Sequence, residues 1–289
     1  MSSKSGSAGK IRMSSFDDLF GSAADAEQVI DAKLEDLHAF KNHPFRVMDD
    51  EKMEETVESI GKYGVLVPGI ARPMESGGYE IIAGHRRKRG CELAGVSSMP
   101  VIVRNYTDDE ATIIMVDSNI QREDILPSEK ARAYAMKYEA VKHQGSRGGS
   151  SLGEVGESAG DSPKTVQRYV WLARLIDGLL EMVDRKQIGF LQGVDISFLT
   201  EKAQQWVYEI LEETGVTVTA SQSAKLKEHG KKDELTLPMA RLILSEEQQK
   251  ERKITIKGET IKEYFPADYT NDDIEEVIIQ LLEEWSKKQ

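Results

Sequence analysis

The sequence predicts an α+β chain: a small mixed sheet first, then an all-α helix-turn-helix domain, then a small C-terminal module. Three observations carry this. Strand-length apolar runs fall close together between residues 65 and 104. From residue 107 to about 230 the apolar positions recur at helical spacing, broken by caps and glycines. Within that helical stretch, residues 151 to 176 read as a short helix, a glycine turn and a second helix led by a proline.

At 289 residues the chain has room for two domains or a string of smaller modules. Charged residues make up 30 % of it, which suits several small cores better than one large one. No apolar run approaches membrane length and no signal-peptide core is present, so a cytoplasmic protein is expected. One cysteine, Cys91, excludes an internal disulfide and a zinc cluster. The formal charge of −12 excludes general coating of nucleic acid through bulk charge. It leaves room for local basic faces. The run Arg86-Arg87-Lys88-Arg89 is one, and residues 125–150, with five basic and two acidic side chains, are another.

Residues 1–33 read as a disordered tail, Ser/Gly-rich at its start, with one aromatic and acidic segment, Ser15 to Phe20. Residues 34–124 read as a small α/β unit. Asp49 or Asp50 caps a helix from Glu51 to Tyr63, whose Met53, Val57 and Ile60 share a face, and Gly64 ends it. Val65 to Ala71 is strand-like, although Pro68 and Gly69 interrupt it. A turn at Ser76-Gly77-Gly78 leads into a strand from Tyr79 to Ala83, which makes a hairpin. A basic helix runs on to about Ala94, and a further strand spans Met99 to Arg104. Thr107 to Glu110 is a capping-box sequence opening a helix over Asp108 to Val116.

Residues 125–230 read as the helical DNA-binding domain. Pro127 starts a helix with Ala131, Tyr134, Ala135 and Tyr138 as its apolar stripe. Lys130, Arg132, Lys137 and Lys142 are expected outside that stripe, as a solvated face or a phosphate face. Gln144 to Ser150 is a flexible break, either a hinge between modules or a loop within one. Leu152 and Val155 mark the short helix. Asp161 or Ser162 caps the next one, Pro163 takes its first position, and Val166, Val170 and Ala173 face inward. Lys164, Thr165, Gln167 and Arg168 then lie near its N-terminal end, the part that enters a major groove. Arg and Gln can read base edges, and Lys and Thr can hold phosphates. Helices over Leu179–Arg185, Glu201–Thr214 and Ser221–Glu228 follow, with Gly189 and Gly193 as turns and Trp206 in the core. Residues 231–289 read as a linker and a self-association module. It contains an alternating strand, Lys253 to Lys257, and a terminal helix with Ile274, Val277, Ile278, Leu281, Leu282 and Trp285 as its stripe.

The stretch with the most chemistry is Tyr79 to Arg122. A short apolar strand ends at Gly84, and His85-Arg86-Arg87-Lys88-Arg89 opens a helix. Strand, glycine and helix start make an anion site. The first helical N–H groups have no internal partner, a glycine lets a phosphate come close, and guanidinium forks match phosphate oxygens. Asp117-Ser118-Asn119-Ile120-Gln121-Arg122 adds a polar cluster at a helix end.

Gly84-His85-Arg86-Arg87 followed by Ser118-Asn119-Ile120-Gln121-Arg122 resembles the paired signature boxes of the ParB family of DNA-partition proteins. Pro44, Arg46, Ser59-Ile60, Gly64-Val65-Leu66, Pro68 and Arg72-Pro73 resemble that family's first box. The resemblance runs from about Leu34 to about Gly230, and it implies a ParB/sulfiredoxin-like fold for the first domain. It implies CTP with Mg2+ as ligand and a clamp that closes on double-stranded DNA. Gly84, His85, Arg86, Arg87, Arg89, Ser118, Asn119 and Arg122 would form the nucleotide site. The chain departs from the family at His85 and Ser118, where the family has Glu tied to magnesium and hydrolysis. At most a slow CTP hydrolase is therefore implied, with Asp117 as an adjacent acid.

The resemblance also implies a homodimer joined through the C-terminal region, a nucleoid-associated location, and a ParA-type ATPase partner. Lys10 and Arg12 of the tail are the basic residues for that last contact. Other functions on the same parts are a transcription regulator and a ParB-fold enzyme of the kinase or nuclease type. Sulfiredoxin's catalytic cysteine has no counterpart, because Cys91 lies well down the helix.

Overall fold

The computed structural model describes residues 29–122, 124–144, 151–245, 264–266 and 269–287. The chain divides by internal contacts into one unit ending at Ser245 and a second from Glu246 to Gln289.

The first unit opens with a five-stranded sheet in the order β1-β5-β3-β4-β2. Strand β1 is Val29–Lys33, β2 Leu37–His38, β3 Gly69–Pro73, β4 Tyr79–Ala83 and β5 Ser98–Val103. Strand β1 runs antiparallel to β5 and β3 antiparallel to β4, whereas β3 with β5 and β2 with β4 are parallel. The sheet is mixed, as expected. Helix α1 (Glu51–Tyr63) begins at Asp50, whose carboxylate accepts the Met53 N–H at 3.0 Å. Helix α2 (His85–Leu93) follows β4 directly, and α3 (Asp108–Asp117) begins with a complete capping box on Thr107 and Glu110.

Strand β4 is buried on both faces, and its alternation joins two cores. Ile81 packs with Ile60, Ala71, Cys91 and Met99 under α1 and α2. Ile82 packs in a second core with Ile114, Met115, Tyr134, Val155 and Val166. That second core crosses from the sheet through α3 and α4 (Pro127–His143) into α5 (Ser151–Glu157) and α6 (Pro163–Leu172). The division at 124/125 therefore runs through shared packing. A third core gathers α7 (Asp177–Asp184), α8 (Phe190–Ile196), α9 (Glu201–Thr214), α10 (Ala220–Lys231) and α11 (Leu237–Ser245).

Several expectations are corrected. Val29–Lys33 is not tail: it pairs along the sheet edge and buries Ala32. The strand expected over Val65 to Ala71 is shifted to Gly69–Pro73, because Pro68 has no N–H to give a ladder, and Leu66 stands exposed. Gly189 precedes a helix rather than marking a simple turn, and Gly193 is buried inside α8 against Leu172 and Val183. The body also extends past residue 230, since α11 buries Ala240, Ile243 and Leu244 in the third core. Trp206 packs against that core, as expected.

In the second unit, α12 (Asn271–Lys287) has no buried residue among those described, and Leu281, Leu282 and Trp285 are exposed. The strand expected at Lys253 to Lys257, the tail segment Ser15 to Phe20 with Lys10 and Arg12, and the break at 145–150 lie outside the described residues. Among the described residues no helix is long and apolar enough to cross a membrane.

Candidate nucleotide site and nucleic-acid interface

Gly84 sets the geometry where β4 meets α2. Its φ of +115° is left-handed, and a Cβ there would sit 3.2 Å from the Gly69 Cα and 3.4 Å from Arg87 Nη2. No side chain caps α2, so the outward N–H groups of its first turn stay open.

The basic residues that follow divide into two sets. Arg87 folds over the glycine, and its Nη1 donates to the Val67 and Pro68 carbonyls at 2.6 and 2.5 Å. Burial lowers its pKa, and among the described residues it forms no salt bridge. A half-buried guanidinium held by neutral carbonyls still has donors that an anion would match. Arg86 and Arg89 point elsewhere. Arg86 pairs with Asp50 at 2.7 Å and Arg89 with Asp49 at 2.6 Å, both acids at the start of α1. These two guanidiniums are therefore engaged before any ligand arrives, contrary to the expectation that all three arginines stand ready.

His85 turns inward. Its Nε2 accepts the Phe40 N–H at 3.3 Å, and its ring lies 3.9 Å from that of His43. Burial, then His43 and Lys88, push its pKa down to about 3, so the imidazole is neutral near pH 7. His43 Nδ1 lies 2.7 Å from the Phe45 carbonyl, which assigns the ring proton there. Its Nε2 is then a buried acceptor with no partner. Burial lowers the His43 pKa as well, and Arg122 adds to that effect.

The second box lies beside the end of β4, in one shared core. Ile120 lies in the same core as Phe40, Phe45, Ile82 and Ala83. Ser118 Oγ and Asn119 Nδ2 both donate to the Met115 carbonyl, at 3.0 and 2.8 Å, closing the end of α3. The structure thus packs Ile120 of the second box in one core with Ile82 and Ala83, just before Gly84 and His85, and turns Arg86 and Arg89 to the acids at the start of α1. His43 was not singled out from the sequence. A lone His before a Pro gives no periodic signal, and only the fold lays it on His85.

The helix-turn-helix is built as its local sequence dictates. A Cβ on Gly156 would meet the Asp161 carbonyl at 2.3 Å, so only glycine allows α5 to approach the turn this closely. Ser162 caps α6 by accepting the Thr165 N–H at 3.2 Å, and Pro163 occupies the first turn. Val166 and Val170 are buried. Lys164 and Arg168, four apart and opposite Val166, share the outward face. Lys164 is exposed, and Gln167 and Arg168 are half-buried. Thr165 is less available, because its hydroxyl lies 2.9 Å from Ser162 Oγ within the cap.

The turn is tied to the second box. Lys137 is 3 % exposed, not outside the apolar stripe. Its ammonium lies 2.5 Å from Asp117 and 3.2 Å from both the Val155 carbonyl and Ser158 Oγ. Gln121 donates to the Ser158 carbonyl at 2.9 Å. Lys130 is also engaged, pairing with Asp161 at 2.6 Å beside the Tyr134 and Tyr169 rings. The spacing Tyr134, Lys137, Val141 does put Lys137 on the inner face, a signal that its charge obscures.

Comparison with known proteins gives the family. The ParB N-terminal domain family model matches residues 21–120. A probable chromosome 1-partitioning protein ParB of Deinococcus radiodurans is 31 % identical over 212 residues, covering 73 % of this chain and 70 % of that protein. A nucleoid occlusion protein of a Geobacillus species is 40 % identical over 92 residues, 32 % of this chain and 33 % of that protein. The C-terminally truncated ParB of Caulobacter crescentus, solved in complex with its centromeric parS site, is 22 % identical. It covers 70 % of this chain and 99 % of its own, at a TM-score of 0.42, too low to transfer geometry. On the sequence match to the Deinococcus protein, this chain belongs to the ParB family of chromosome-partitioning proteins.

Proposed function

We propose that the chain is a partition protein that binds a specific centromere-like duplex site and is switched by a CTP-type nucleotide. The observation that carries the nucleotide half is the half-buried guanidinium of Arg87, without a carboxylate partner among the described residues, above the uncapped start of α2. The DNA half rests on family membership and on the outward face of α6, where Lys164 and Arg168 stand at the end that a major groove admits. Acting as a dimeric clamp on chromosomal, plasmid or mobile-element DNA, with a ParA-type ATPase as partner of the tail, completes the reading. The stripe of α12 is the proposed self-association surface.

Two experiments test it. Equilibrium dialysis with CTP, ATP and GTP should show binding of CTP first, lost in Arg87→Ala. Equal retention of all three, or an unchanged Arg87→Ala, rejects the nucleotide half. Footprinting on enriched genomic fragments should show a protected site whose recognition weakens in Arg168→Ala by about 1–3 kcal/mol. Unchanged protection removes α6 as the reading helix. A nucleoid role other than partition is the second reading, favoured by the 40 % identical stretch shared with the nucleoid occlusion protein. A neighbouring ParA-like gene decides between the two.

A further inference from the structure

The family resemblance implies Mg2+ beside the triphosphate, and Mg2+ takes carboxylate and phosphate oxygens in an octahedral shell. The side chains around the start of α2 and the end of α3 do not fit that ion. His85 and Ser118 stand where the family has Glu. His85 offers no lone pair, since Nε2 accepts the Phe40 N–H at 3.3 Å and Nδ1 then carries the ring proton. Ser118 donates its hydroxyl back to the Met115 carbonyl.

Asp117, the adjacent acid, is turned inward. It faces the Lys137 ammonium and accepts from Ser158 Oγ at 2.6 Å. Neighbouring acids among the described residues are held too. Asp49 and Asp50 pair with Arg89 and Arg86, and Glu80 pairs with Arg72. Asp124 pairs with Lys52, and Glu129 accepts the N–H groups of Arg46 and Leu126. Among the described residues no group of three or more His, Cys, Asp or Glu side chains converges on one point. The orphan acceptor here, His43 Nε2, is an imidazole nitrogen, a poor partner for a hard ion.

Resting on the nucleotide reading above, we propose that the site grips a nucleoside triphosphate without a divalent ion of its own. The phosphate charge is met by the open N–H groups of α2 and by the guanidiniums of Arg87 and Arg122. Nitrogen donors of both kinds bind phosphate directly and need no carboxylate to anchor them.

The test is equilibrium dialysis of the full chain with radiolabelled CTP, once in excess Mg2+ and once in EDTA. The dissociation constant in EDTA should be no more than about threefold weaker than in Mg2+. A greater weakening overturns the inference and leaves nucleotide binding standing. Absence of binding in both buffers sinks the nucleotide reading and the inference with it. A Ser118→Glu chain puts a carboxylate back at the box, and there Mg2+ should strengthen binding by about tenfold over EDTA. Indifference of that variant to Mg2+ rejects the missing carboxylate as the cause.

Discussion

The starts of helices α2 and α6 are finished in opposite ways. Helix α2 starts at a left-handed glycine with no side-chain cap, so its backbone N–H groups remain donors to a ligand. Helix α6 starts at Ser162 and Pro163: the serine side chain accepts the Thr165 N–H, and the proline has no N–H to offer. The first start leaves its backbone donors open. The second is capped, and Lys164 and Arg168 stand on its outward face. The cap chemistry is what separates the two starts.

The link between them is the place to break first. Lys137, Asp117 and Ser158 join the second box to the turn before α6 in a nearly dry site. Lys137→Met strands the Asp117 carboxylate and should cost about 3–5 kcal/mol, read as a lowered urea midpoint. Adding Asp117→Leu should recover much of that loss. If the double variant is no better than the single one, the pair is not what holds this contact.

The next effect belongs to the α2 side alone. The folded His85 pKa is about 3, whereas an unfolded imidazole titrates near pH ~6.5. The unfolded chain thus binds a proton that the folded chain refuses. Stability linked to His85 is complete above pH 6.5, falls as pH drops toward 3, and the lowered His43 pKa acts in the same direction. Between pH 7.5 and pH 4.5, His85→Gln should lose about 3 kcal/mol less stability than the parent chain. Parallel pH profiles for the two chains would contradict the buried, neutral imidazole.

Smaller effects sharpen the contrast between the two starts. Gly84→Ala forces a side chain into a left-handed backbone against Gly69 and should cost about 2 kcal/mol, with nucleotide affinity falling more than DNA affinity. Ser162→Ala should cost about 1 kcal/mol and leave nucleotide binding untouched. Equal losses of both ligands in either variant would show that the two starts do not act separately.

Much of the fold was legible because its signals are local. Asp50, Thr107 and Ser162 cap their helices as their sequence positions suggest, and Pro127 and Pro163 each open one. Strand β4 and helices α1 and α9 have their expected bounds. Most of the misses depend on a distant partner. Val29–Lys33 becomes a strand only because β5 offers an edge, and α8 and α11 form because a core waits for them.

The sequence by itself determined where chains of backbone donors open and close, since capping and periodicity act over three or four residues. It determined that a glycine would release β4 into an arginine-rich helix. Only the tertiary structure decided which charges remain for a ligand. Arg86 and Arg89 meet acids near residue 50, Lys137 meets Asp117, and His85 meets His43. Each of those partners lies twenty or more residues away in the chain. Ionic and ring contacts form through space after the cores close, and no short-range pattern encodes them.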